Sequence, residues 1–200
     1  MKVEFLFDFG SPNAYLAHKV IPEIEERTGA KFEYVPILLG GIFKLTNNRP
    51  PMVAFGDVKG KMAYEMKETE RFIRRHAITT FKFNPNFPVN TLALMRMAVA
   101  AQEAGQFAPY VEAAFHHMWE APKKMDDPDV IRAALIESGL DADRLIAAAQ
   151  TPEVKQRLLA NTEAAASRGV FGSPSFFVGE ELFFGKDRLG EVEEEIRRAC

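Results

Sequence analysis

The 200-residue chain has a single cysteine, its final residue, Cys200. Without a second sulfur neither an intrachain disulfide nor a dithiol redox centre can form, and a thiol on a frayed terminus lacks the rigid surroundings that catalysis needs. Cys200 is therefore read as incidental, and any sulfur chemistry must borrow its sulfur from another molecule. A basic excess is missing too: 25 lysines and arginines stand against 28 aspartates and glutamates, for a net charge of -3. Attraction to a phosphate backbone runs on clustered positive charge, so nucleic acid is set aside as a partner. No segment approaches the ~18 consecutive apolar residues of a membrane span, and Glu4 and Asp8 interrupt the apolar start. The expectation is a cytoplasmic chain with no signal peptide and no membrane partner. Neither a fixed-period repeat nor a low-complexity linker is present. With 47% hydrophobic and 26% charged residues, the composition is that of an ordinary globular protein.

Residues 3 to 9 alternate, with apolar side chains at 3, 5, 7 and 9, which predicts a strand. Gly10-Ser11-Pro12 ends it, and Leu16, Val20 and Ile24 then recur at helical spacing up to Thr28-Gly29. Pro12 suits a first helical turn, and Pro22 inside the pattern is expected to kink it. Lys31 to Leu38 is strand-like again, giving a βαβ unit with parallel strands. From about Gly40 to Arg168 the signals are helical, over Met62–His76, Thr91–Ala104, Pro109–Trp119, Pro128–Ser138 and Pro152–Ser167. Ser175–Val178 and Leu182–Phe184 read as a hairpin, followed by an amphipathic helix carrying Leu189, Val192 and Ile196. This order is α/β: a thioredoxin-like fold with a large all-helical insertion. Residues 1–43 and 151–200 form the thioredoxin-like domain and 44–150 the insertion.

In such a fold the reactive position follows the first strand, at the N-terminus of the first helix, where unpaired N–H groups and the helix dipole favour an anion. Ser11-Pro12-Asn13-Ala14 occupies the place of a Cys-x-x-Cys motif, with serine at the nucleophile position. A serine at that junction is also an ordinary N-cap. Just before the third strand, Gly172-Ser173-Pro174-Ser175 places a proline where thioredoxin-like proteins carry a cis-proline, although proline is common at the first residue of any strand. The two signals coincide in the expected order.

Other constellations read as structural. His116 and Glu120 stand at i and i+4 beside His117, but no further Cys or His cluster completes a metal site. Lys67, Arg71, Arg74 and Arg75 are interleaved with Glu65, Glu68 and Glu70 as on a solvated helix. Asp126-Asp127-Pro128 reads as helix capping. Phe81, Phe83 and Phe87 with Trp119 are core, or the wall of a substrate pocket.

Across nearly its whole length the chain resembles the family of 2-hydroxychromene-2-carboxylate isomerases and kappa-class glutathione transferases, which is similar to the DsbA-type oxidoreductases in fold. The carriers, in order, are Phe7-Asp8-Phe9-Gly10-Ser11-Pro12 with Tyr15-Leu16-Ala17, Asn48-Arg49-Pro50-Pro51, Lys61 before Tyr64, Phe87-Pro88-Val89-Asn90-Thr91, Gly169 to Phe176, and Phe184 to Leu189. The resemblance implies that glutathione is the cofactor, with Ser11 donating a hydrogen bond to its sulfur. It implies contacts from Asn48, from Lys61 (or from Lys59 after a small slip in alignment), from the backbone of Ser173 beside Pro174, and from Asp187 at the γ-glutamyl end. It also implies a small aromatic or electrophilic substrate and a homodimer. Two positions depart from the family's habit: Lys186 replaces the small or amide side chain that often precedes the aspartate, and Asn13 stands where many relatives carry an aromatic residue.

Overall fold

The computed structural model describes residues 2–199; Met1 and Cys200 lie outside them. Chain order is β1 (Val3–Phe7), α1 (Pro12–Thr28), β2 (Phe32–Pro36), α2 (Leu39–Thr46), α3 (Pro51–Ala54), α4 (Lys61–Arg75), α5 (Leu92–Glu103), α6 (Phe107–Trp119), α7 (Pro128–Glu137), α8 (Ala142–Ala148), α9 (Pro152–Ser167), β3 (Ser175–Val178), β4 (Glu181–Phe184), a 3-10 turn (Lys186–Arg188) and α10 (Leu189–Arg198). The sheet order is β2-β1-β3-β4. β1 pairs parallel to β2 and antiparallel to β3, and β3 pairs antiparallel to β4. Both chain ends thus build one sheet, with helices packed on its two faces.

β1 departs from the half-exposed strand that alternation implies. All five of its residues are buried, because Phe5 and Phe7 enter one hydrophobic cluster while Leu6 joins Ile37, Ile42, Val170 and Phe177 on the opposite face. Glu4 shares that second face, and Arg168 and Lys2 reach it at 2.7 and 2.9 Å. Burial pushes the Glu4 carboxyl up, but these two partners outweigh it and hold the group below its ordinary value.

α1 runs through Pro22 without a break, and its apolar stripe, including Leu16, Val20, Ile21 and Ile24, is buried. Prolines that punctuate the sequence start helices here: Pro12, Pro128 and Pro152 each stand in the first turn behind a capping Ser11, Asp127 or Thr151. Three helices, α2, α3 and α8, carry little signal in the sequence. Gly40 and Gly41 obscure α2, since glycine is a poor helix former. The helix forms because Ile42 is buried, and Gly41 fits closely against α9, where a Cβ would stand 3.0 Å from Thr162 Cγ2. α8 is a short helix capped by Asp141, which accepts the Arg144 N–H at 3.1 Å. The boundary drawn at 43/44 falls inside α2, and one hydrophobic cluster joins Phe5 and Leu16 to Phe72, Leu94 and Trp119 of the helical segment.

Candidate functional site

Three chain segments meet at the N-terminus of α1. Ser11 is 5% exposed, and its hydroxyl does two things at once: its oxygen accepts the Ala14 N–H at 3.2 Å, capping the helix, and its hydrogen goes to the Ser173 carbonyl at 2.8 Å. The Ser173–Pro174 peptide is cis, as is Phe87–Pro88. The Ser173 hydroxyl in turn accepts the Asp8 N–H at 3.2 Å.

Asp8, to which sequence reasoning gave no role, is the hub of this arrangement. Its carboxylate is 1% exposed and accepts the Gly10 N–H (2.8 Å), the Thr91 hydroxyl (2.7 Å) and the Leu39 N–H (2.7 Å), while its own carbonyl takes the Ser11 N–H (3.0 Å). It therefore ties the loop that carries Ser11 to the starts of α2 and α5. Burial pushes its carboxyl up, and the three donors pull the other way with less effect. A lone charge in the aromatic run Phe7-Asp8-Phe9 was the available signal. Behind the loop, Trp119 is fully buried and its indole N–H donates to the Phe9 carbonyl at 2.8 Å. Phe81, Phe83 and Phe87 gather round that indole, and of these Phe83 is 57% exposed.

The other sequence-predicted residues differ in what ties them to this centre. Asn48 donates to the Phe171 carbonyl at 2.8 Å and accepts the Arg49 N–H at 2.8 Å, so its amide pins the end of α2 to the segment leading into Ser173. Asp187 is joined to the cis-proline through Gly185, whose N–H donates to the Pro174 carbonyl at 2.9 Å. Both oxygens of Asp187 are already engaged by Lys186 Nζ, at 2.7 and 2.8 Å. Lys61 opens α4, pairs with Glu65 at 2.6 Å and lies 5.6 Å from the Phe55 ring centroid. Lys186 packs on Phe72, eleven residues further along α4 and so roughly 16 Å along its axis at about 1.5 Å per residue. Lys61 and the Lys186–Asp187 pair therefore stand at opposite ends of α4. Lys59 lies in the exposed turn before α4.

Gly172 is required by close approach. A Cβ there would stand 2.6 Å from Phe184 Cε2, and Phe184 packs on Phe171 at 4.4 Å between centroids. Gly172→Ala is expected to swing Phe184 outward and lower stability by about 1 kcal/mol. That corresponds to about 2–4 °C in a thermal melt for a chain of this size. An unchanged melt would show that the close approach matters little.

His116 pairs with Glu120 at 3.0 Å, and His117 with Ser138 at 2.9 Å. Among the described residues no group of three or more His, Cys, Asp or Glu side chains is placed to hold a metal. Nor, among those residues, is any helix long and apolar enough to cross a membrane.

Residues 2–197 match the family model described as a DSBA-like thioredoxin domain. The chain is 30% identical to a 2-hydroxychromene-2-carboxylate isomerase of Sphingobium xenophagum, over 96% of this chain and 95% of the relative. It is 26% identical to glutathione S-transferase kappa 1 of Homo sapiens, over 94% and 87%. Among solved structures, a 2-hydroxychromene-2-carboxylate isomerase superposes with a TM-score of 0.84 at 26% identity, covering 100% of this chain and 96% of the other. A probable DsbA oxidoreductase from Streptomyces coelicolor reaches 0.75 at 16% identity, covering 100% and 89%, a likeness of fold alone.

Proposed function

Because the chain belongs to the DsbA-like thioredoxin family, among relatives that are 2-hydroxychromene-2-carboxylate isomerases and kappa-class glutathione transferases, we propose that it is a glutathione-dependent isomerase acting on an unsaturated aromatic carbonyl compound. The observation that carries this reading is Ser11: a hydroxyl rather than a thiol at the helix terminus, 2.8 Å from the carbonyl of the residue before Pro174. Glutathione, when bound, supplies the thiolate that adds reversibly to the conjugated system.

The residues on hand fit that task at the sulfur end. A hydroxyl hydrogen is a rotor, so the Ser11 O–H can turn from the Ser173 carbonyl to an incoming sulfur while its oxygen still caps Ala14. Pro12 has no N–H and those of Ala14 and Tyr15 donate to Ser11, so α1 contributes chiefly the positive end of its dipole. Together they favour a thiolate over a thiol, whose pKa is otherwise about 8.5. The Ser173 carbonyl has a second lone pair with which to accept from a peptide N–H of the cofactor. Asn48 and Lys61 are assigned to its remaining polar groups, with Lys61 leaving Glu65 to meet a carboxylate. The exposed Phe83 beside Phe87 and Trp119 offers an aromatic surface for the substrate.

Turnover with glutathione and a conjugated aromatic carbonyl substrate tests the reading. Isomer should form while total glutathione stays constant. One-for-one consumption of glutathione would assign the chain instead to the second reading, a kappa-like transferase, which the human relative at 26% identity favours. No rate above the uncatalysed one with any electrophile would leave a binding module without chemistry. With serine at 11 and alanine at 14, catalysed reduction of a protein disulfide is not expected. Rapid reduction that survives Cys200→Ser would overturn that.

A further inference from the structure

Lys186 is 4% exposed, which lysine tolerates only when its charge is partnered. Its partner is the neighbouring Asp187, gripped through both oxygens at 2.7 and 2.8 Å. The ammonium lies 4.8 Å from the Phe72 ring centroid on α4, within reach of a cation–π contact. An ammonium has three N–H donors; two serve Asp187, and packing on Phe72 confines the third, so little of this charge is left for a ligand. Asp187 itself remains 53% exposed at its side chain, beside the loop that Gly185 ties to Pro174. The result is a carboxylate that faces solvent at the edge of the site with its countercharge already supplied from within the chain.

We propose that Lys186 occupies the place at Asp187 that a ligand's ammonium group would otherwise take, so that this chain binds its thiol cofactor without reading the cofactor's amino group. The inference rests on the reading of the chain as a glutathione binder. A second ammonium brought to Asp187 would have to displace a partner that is covalently adjacent and desolvated, or sit beside it and be repelled. The amino group of glutathione thus gains nothing at this end, and recognition comes from the thiol, the peptide groups and the carboxylates. Replacing Lys186 by an uncharged side chain frees Asp187 and makes the amino group count.

The test compares glutathione with glutaryl-cysteinylglycine, which keeps the thiol and both carboxylates and lacks only the amino group. Calorimetric titration of the wild-type protein should give dissociation constants that agree within about threefold. Titration of Lys186→Gln, and of Lys186→Met as a second variant that packs on Phe72, should favour glutathione by about tenfold, the value of a freed charge-assisted pair. A wild-type protein that already prefers glutathione tenfold would overturn the proposal, as would folded variants of both kinds that do not discriminate. Failure of both ligands to bind the wild-type protein is a different result: it removes the glutathione reading itself, and this inference with it.

Discussion

Replacing Ser11 with alanine is expected to lower glutathione-dependent turnover roughly ten- to hundredfold at neutral pH and to let it recover as the solution is made alkaline. A hydrogen bond to a charged group is worth about 1.5–3 kcal/mol, and each ~1.4 kcal/mol is a factor of ten in rate. The loss falls on the thiolate, so a thiol with a raised pKa needs more alkaline solution to ionise, and the lower limb of the pH–rate curve moves up. The same variant is also expected to melt lower, which a purely catalytic serine would not do. Its oxygen caps Ala14 and its hydrogen serves the Ser173 carbonyl, so alanine removes a cap worth about 1 kcal/mol and strips that carbonyl of a donor. Melts and pH–rate curves on the two proteins separate the roles. A lower melt with an unmoved pH profile would reduce Ser11 to a cap.

Asp8→Ala should be the most damaging single change to stability near the site. It leaves the Gly10 N–H, the Leu39 N–H and the Thr91 hydroxyl without their acceptor, and the last of these is buried. At about 1–3 kcal/mol for each buried unsatisfied donor, offset where water reaches the two partly buried N–H groups, the expected loss is about 2–4 kcal/mol. For a chain of this length that is roughly 5–15 °C in the melting midpoint. A shift under about 2 °C would mean that the three segments hold together without the carboxylate. A second measurement follows from burial. The folded-state pKa of Asp8 lies above its ordinary value of 3.8, so its contribution is fully present below that value and declines as pH rises through the raised one. The stability of the wild type relative to Asp8→Asn, which cannot titrate, should therefore fall with rising pH across that window. A difference that is flat or rises would contradict the direction of the shift.

Local pattern was enough for much of this protein. Alternation at residues 3 to 9, helical spacing after Gly10-Ser11-Pro12 and the Ser175–Val178 hairpin signal each depend on neighbours within a few residues, and each predicts an element that forms, although β1 ends at Phe7 rather than at Phe9 and β4 starts one residue early at Glu181. The pairing of Ser11 with Ser173 was readable because a strand-to-helix junction and a proline before a strand have fixed places in one topology. What local pattern could not decide was which polar groups would be left facing each other once the segments met. That Asp8 would gather donors from 10, 39 and 91 depends on α2 and α5 starting at the same point in space, and nothing in Phe7-Asp8-Phe9 encodes it. That Lys186 would turn inward onto Phe72 and occupy Asp187, rather than extend into solvent as lysines usually do, depends on α4 lying over the 3-10 turn. Hydrophobic periodicity reports how one segment buries its own apolar face, whereas the partners of a buried charge are chosen only when distant segments close around it and exclude the water that would otherwise have solvated it.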